Sequence, residues 1–145
     1  MYDYLFTINA QAEIVPSLAK AYKMSDDGKT FTREEKAAGS EDGVCGCCGM
    51  RGYADAKGNL YLLYRAWDGK SRDMILLTST DTGKTFKPTV VNPWPITTCP
   101  MSSSTMTEMN GELLAATESA GQVSFARVAP NSLSIDETIT APGVG

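Results

Sequence analysis

The pattern Asp-x-Gly-Lys-Thr-Phe occurs twice, at positions 26–31 and 81–86, and its two copies stand 81 − 26 = 55 residues apart. A repeat spacing on the order of 50 residues marks a fold assembled from one supersecondary unit stacked on itself, because each unit needs its neighbour to bury its apolar face. Gly83-Lys84-Thr85 also raises the question of a phosphate loop. That loop requires a glycine five residues before Gly83 and a helix after it; Thr78 stands at the first place, and residues 86–91 read as a strand. The tripeptide is therefore part of a turn.

Between and beyond the two copies the chain divides into short strand-like segments joined by turn residues. Residues 50–54, 59–67, 72–80 and 85–91 form one such series of four, with turns at Asp55-Ala56-Lys57-Gly58 and at 68–71, and segment 32–37 precedes it across a Gly/Ser/Asp/Cys-rich connection at 39–49. A further series covers 103–108, 112–118, 122–128 and 134–140, and its Asn110-Gly111 turn repeats Lys57-Gly58 at an offset of 111 − 58 = 53. Segments 4–8 and 18–24 precede the first copy. Segments 59–67 and 72–80 are apolar on both faces, which predicts sheets covered on each side by another sheet. The fold expected is all-β: one domain over 1–145, a β-propeller segment of about two and three-quarter four-stranded blades, partial at 1–38 and whole at 44–92 and 99–141.

The repeated residues resemble the Asp-box, or BNR, repeat of the sialidase-like β-propeller superfamily, S/T-x-D-x-G-x-T-W/F. The second copy matches fully through Ser79, Asp81, Gly83, Thr85 and Phe86; the first matches at Asp26, Gly28, Thr30 and Phe31 and has Met24 in place of the Ser or Thr. The resemblance implies a propeller of about six blades, completed by further blades of the same protein or by self-association. It also implies that the box sits on the hairpin between the third and fourth strands, remote from any site. Turn chemistry agrees: Asp accepts backbone N–H groups, Gly supplies positive φ and Thr adds a local bond, so Asp26 and Asp81 are staples rather than acids or ligands.

If those hairpins mark the bottom, the segments 44–52, 66–73, 92–104 and 117–122 lie at the top. They hold Arg51, Trp67, Asp68, Arg72, Asp73, Trp94 and Glu118. Indole faces stack on sugar rings and guanidinium groups fork onto carboxylates, which makes Arg51, Trp67, Asp68, Arg72 and Trp94 ligand-binding candidates. The plainer alternative is that each Trp packs under a loop and each Arg pairs with Asp68, Asp73 or Glu118. Arg65, in an apolar strand, needs a charged or carbonyl partner. Tyr53, Tyr61 and Tyr64 read as core.

All four cysteines also fall in the top segments, with Cys99 expected close to the Cys45-Gly46-Cys47-Cys48 run. Four cysteines allow three pairings, and Cys47 with Cys48 could form a vicinal pair. The expectation is structural disulfides among Cys45, Cys47, Cys48 and Cys99, with no metal and no cofactor, and hence an extracytoplasmic, secreted or periplasmic protein. A thiolate metal site, a redox pair and buried thiols are the alternatives. The Cys-x-Cys-Cys segment resembles a bacterial BNR-repeat group.

Composition removes whole classes. There is no histidine, so neither a Ser-His-Asp nor a Cys-His mechanism can operate within the chain. Net charge is −4 without a basic patch, against nucleic acid, and no apolar run approaches the ~18 residues of a membrane span. The opening MYDYLFTINAQ lacks the features of a secretory signal. The function expected is binding of a carbohydrate or protein ligand through the top face. The alternative is an exo-α-sialidase or related glycoside hydrolase, with Glu118 and Arg51 as catalytic candidates and the rest of the set on other blades.

Overall fold

The computed structural model describes residues 4–8, 19–25, 30–31, 35–37, 43–129 and 135–141. They form strands β1 (Tyr4–Ile8), β2 (Ala19–Ser25), β3 (Thr30–Phe31), β4 (Glu35–Lys36), β5 (Gly43–Val44), β6 (Met50–Ala54), β7 (Leu60–Trp67), β8 (Met74–Ser79), β9 (Lys87–Asn92), β10 (Ser104–Met109), β11 (Glu112–Ser119), β12 (Gln122–Val128) and β13 (Ile135–Thr140). The protein is all-β: among the described residues there is no helix, every strand pairing is antiparallel, and no sheet closes on itself. None of its elements is therefore a helix able to cross a membrane.

Three sheets follow one another along the chain. In the first, β2 pairs with β1 on one side and with β3 and β4 on the other. Of the expected strand at 32–37, Glu35–Lys36 is β4 and residues 32–34 lie outside the described residues, while Met24 pairs with Phe31 and Ser25 with Thr30 across the first Asp-box copy. Asp26 and Gly28 lie outside the described residues. The second sheet runs β7-β8-β9, with β5 and β6 both on the free edge of β7. The third is the plain meander β10-β11-β12-β13.

Strand β7 is buried from Leu60 to Ala66 because both faces of its sheet are covered. On one side Tyr61 and Leu63 join Met74, Leu76 and Val91 against Leu113, Ala115, Ala126 and Val128 of the third sheet. On the other, Leu62, Tyr64 and Ala66 join Leu77, Val44 and Ala37, with Phe86 packed at the margin. Leu60, Leu62, Leu63, Leu76 and Leu77 are each 0% exposed, and burial of each contributes about 1.5–3 kcal/mol. The doubly apolar segments of the sequence have the double cover they require.

The third sheet is covered on one face only. Leu113, Ala115, Ala126 and Val128 are buried, whereas Val123, Phe125 and Ile139 are 39%, 46% and 55% exposed, and Phe125 is paired with Ile139. Strand direction then sorts the connections into two ends. The turns at Asp55-Gly58, at the second Asp box and at Asn110-Gly111 share one end; residues 45–49, 68–73, 93–103 and 120–121 share the other. At Asn110-Gly111, φ values of 56° and 80° are those of a two-residue hairpin turn.

Candidate functional site

The second Asp box is a turn held by one carboxylate. Asp81 Oδ1 accepts from Ser79 Oγ at 2.7 Å, from Lys84 N at 3.0 Å and from Thr85 N at 2.9 Å, while Oδ2 accepts from Thr85 Oγ1 at 2.6 Å. Gly83, at φ +82°, donates its N–H to Ser79 Oγ at 2.9 Å. The bonds from Thr85, Ser79 and Lys84 hold the Asp81 carboxyl well below the usual carboxylate range. Ser79, Asp81, Gly83 and Thr85 are all engaged within the turn, and Phe86 closes it against the core.

At the opposite end the edge strand of the second sheet is interrupted. Val44 pairs with Ala66 and Met50 with Tyr64, so five residues, 45–49, stand opposite the single residue Arg65. The excursion is anchored at its base by Cys45 N donating to Arg65 O at 2.8 Å and across its own turn by Cys48 N donating to Cys45 O at 3.3 Å. Gly49, at φ +70°, returns the chain to the strand. Three of the five residues are cysteines.

Cys99 meets them from the connection between β9 and β10, as the sequence predicts. Cys45 Sγ lies 3.4 Å from Cys48 Sγ and 3.4 Å from Cys99 Sγ, and the sulfurs of Cys45, Cys47 and Cys99 all lie within 4.8 Å of one another. The expectation of disulfides is corrected: Cys45, Cys47, Cys48 and Cys99 are all free thiols. Cys45 is shared between two neighbours at hydrogen-bonding separation, well beyond the ~2.05 Å of a bonded pair. The hydrogen bond to Cys99 pushes Cys47 up to about 11, and burial with the contact to Cys45 pushes Cys48 up to about 11. Burial resists ionisation of Cys99, but donation from Cys47, the Met101 backbone and Cys45 outweighs it and draws its pKa down.

Beside the thiols run two arginine–tryptophan contacts. Arg72 lies with its Cζ 3.7 Å from the Trp67 ring centroid and donates through Nη2 to Thr97 O at 3.2 Å. Arg65 lies 5.0 Å from the Trp94 centroid and is wholly buried. Its Nη1 donates to Arg72 O at 2.6 Å, and its Nη2 donates to Glu118 O at 2.5 Å and to Ser119 Oγ at 3.1 Å. The carbonyl partners expected for Arg65 are present. Burial lowers its pKa, opposed by Cys48, Glu118 and Cys45 nearby.

The remaining candidates are engaged locally. Arg51 Nε donates to Ser104 O at 3.0 Å, tying the second sheet to the third. Asp68 accepts from Ser71 N at 2.6 Å and Lys70 N at 2.7 Å, and these bonds lower its pKa. Asp73 accepts from Trp94 N at 2.8 Å, and Glu118 Oε1 from Gly121 N at 2.9 Å. Trp67, Asp68, Arg72 and Trp94 thus share one neighbourhood through the 68–73 loop, whereas Arg51 belongs to the seam with β10. The arginines bond carbonyl oxygens rather than the acids the plainer reading paired them with.

A second constellation, at the Asp-box end, has no counterpart in the sequence reading. Tyr53 OH donates to Glu108 Oε2 at 2.5 Å across the two sheets, and Tyr61 OH donates to Asp55 Oδ2 at 3.1 Å. Together with Lys57, Gly111 and Leu113 they line a cavity of about 210 Å³. Glu108 holds the Tyr53 phenol proton and pushes its pKa up to about 12; burial, then Asp55, does the same for Tyr61, also to about 12. Tyr53 is half-buried and faces a carboxylate, so it is more than core filling.

No family model, no curated protein and no solved structure gives a significant match to this chain.

Proposed function

We propose that the three sheets are successive blades of a BNR-type, sialidase-like β-propeller, and that the end bearing Trp67, Asp68, Arg72 and Trp94 binds a carboxylated carbohydrate. The doubly covered β7 and the opposed ends for turns and loops support the blade reading. So does the open apolar face of Val123, Phe125 and Ile139, which another sheet of the same protein or of a second copy would cover.

The observation that carries the binding proposal is the Arg72 guanidinium 3.7 Å over the Trp67 ring. Stacking fixes the plane of the guanidinium, and a fixed fork beside a half-buried indole suits a sugar that carries a carboxylate. Calorimetry with sialyllactose and lactose tests it. Sialyllactose should bind more tightly, and Trp67→Ala and Arg72→Ala should each weaken it by about tenfold, the loss of one such contact. Equal binding of the two sugars, or none, rejects the proposal and leaves a protein ligand as the alternative. An extracytoplasmic location, where such a ligand is met, is part of this proposal.

The Tyr53–Glu108 pair favours a second reading, glycoside hydrolysis at the Asp-box end, opposite to where the family resemblance expects a site, with Glu108 as the base for the Tyr53 phenol. Release of fluorophore from an aryl sialoside, abolished by Tyr53→Phe and Glu108→Gln, would establish it. Absence of turnover rejects it without touching the binding proposal.

A further inference from the structure

We infer that Cys45, Cys47 and Cys99 form a three-thiolate site for a thiophilic d10 cation, Zn2+ or Cu+, with Cys48 beside it. This inference is independent of the carbohydrate proposal.

The ligands come from the 45–49 excursion at the edge of the second sheet and from the connection between β9 and β10. The sulfurs of Cys45, Cys47 and Cys99 lie within 4.8 Å of one another, and an ion bound at about 2.3 Å to each sulfur sets them roughly 3.8–4.0 Å apart. The Cys45–Cys99 separation of 3.4 Å opens slightly to accept the ion. The chain also makes room for this set. Five residues, 45–49, leave the edge strand opposite one residue of β7 and carry three cysteines, and nothing in the pairing of that strand requires the excursion.

The surroundings suit a metal thiolate better than three thiols. Cys45 is buried, Cys99 half-buried and Cys47 exposed, so the cluster reaches solvent on one side and the core on the other. Arg65 is buried behind it, with its Nε unpartnered, close enough to Cys48 and Cys45 for their charge to act on the guanidinium. Three thiolates with Zn2+ carry one net negative charge, which this cation balances; each thiol gives up its proton to solvent as the metal–sulfur bond forms. Soft sulfur donors without imidazole or carboxylate in the set select such ions over Mg2+ or Ca2+. With three protein ligands a fourth position stays open, to Cys48, water or an external ligand.

The experiment is metal loading of the reduced 145-residue chain, followed by desalting and elemental analysis. One Zn2+ or one Cu+ per chain is expected. Zn2+ competes with Co2+, whose thiolate charge-transfer absorption reports sulfur ligation directly; Cu+ is distinguished by its thiolate luminescence. Cys99→Ser and Cys45→Ser should each weaken binding at least tenfold, and Cys48→Ser less. Should a variant fail to fold, alkylation of the unaltered protein decides instead: bound metal should protect Cys45, Cys47 and Cys99. Retention of less than a tenth of an ion per chain, equal alkylation with and without metal, or closure of the cluster into a disulfide in the presence of metal overturns the inference.

Discussion

Arg65 Nη2 donates to the backbone carbonyl of Glu118 at 2.5 Å, joining the middle strand of the second sheet to the end of β11 in the third. The same guanidinium holds Arg72 O at 2.6 Å and Ser119 Oγ at 3.1 Å. One buried cation therefore fixes the 68–73 loop and the third sheet together, immediately behind the thiols.

Replacing Arg65 with Met keeps most of the apolar stem and strands three acceptors. The three acceptors are part-buried and an unsatisfied buried acceptor costs about 1–3 kcal/mol, so urea unfolding of Arg65→Met should show a loss of at least about 1 kcal/mol. Near-unchanged stability would mean that the guanidinium does not join the sheets.

The Asp81 carboxyl has a folded pKa depressed below the ~3.9 of an unfolded chain. Its contribution to stability is therefore present above about pH 4 and is lost as pH falls through the native value. Asp81→Asn should lower the thermal midpoint at pH 7, and the gap between variant and parent should narrow at pH 3. A gap that is constant with pH would assign the effect to shape rather than charge.

Leu62 and Leu63 point to opposite faces of β7, and both are 0% exposed. Leu62→Ala and Leu63→Ala should each destabilise by about 2–5 kcal/mol. If either costs less than 1 kcal/mol, the corresponding face of the second sheet is not covered.

Ala120 sits at φ 56° and is followed by Gly121 at φ 72° in the two-residue turn between β11 and β12. A residue with Cβ is strained there by roughly 1 kcal/mol, and glycine is not. Ala120→Gly should raise the thermal midpoint by a few degrees; a lower midpoint would contradict the turn geometry.

What could be read from the sequence was whatever depends on neighbours in the chain. The Asp81 turn is built from bonds spanning at most four residues, so the chemistry of Ser79, Asp81, Gly83 and Thr85 sufficed to describe it. Strands β7 and β8 declared their double burial through uninterrupted apolar runs. Strand β5 did not, since two residues paired with Ala66 and Trp67 carry no pattern, and the excursion at 45–49 resembled a linker between units. The flanking Gly46 and Gly49, with Val44 before them, were the available signal. Cys99 was placed correctly near the other cysteines, but thiol against disulfide depends on sulfur positions that spacing does not fix. The Tyr53–Glu108 bond needs the offset between two sheets, and the arginine partners needed the paths of loop backbones, neither of which is a local property.

Native-state hydrogen exchange of the 145-residue chain tests the central claim most directly, that the second sheet is enclosed by its neighbours. The amides of Leu60 to Ala66 in β7 should exchange slowest, only through global unfolding, and those of β13, on a sheet with an open face, much faster. Exchange of β7 as rapid as that of β13 would contradict the stacked arrangement and every site placed by it.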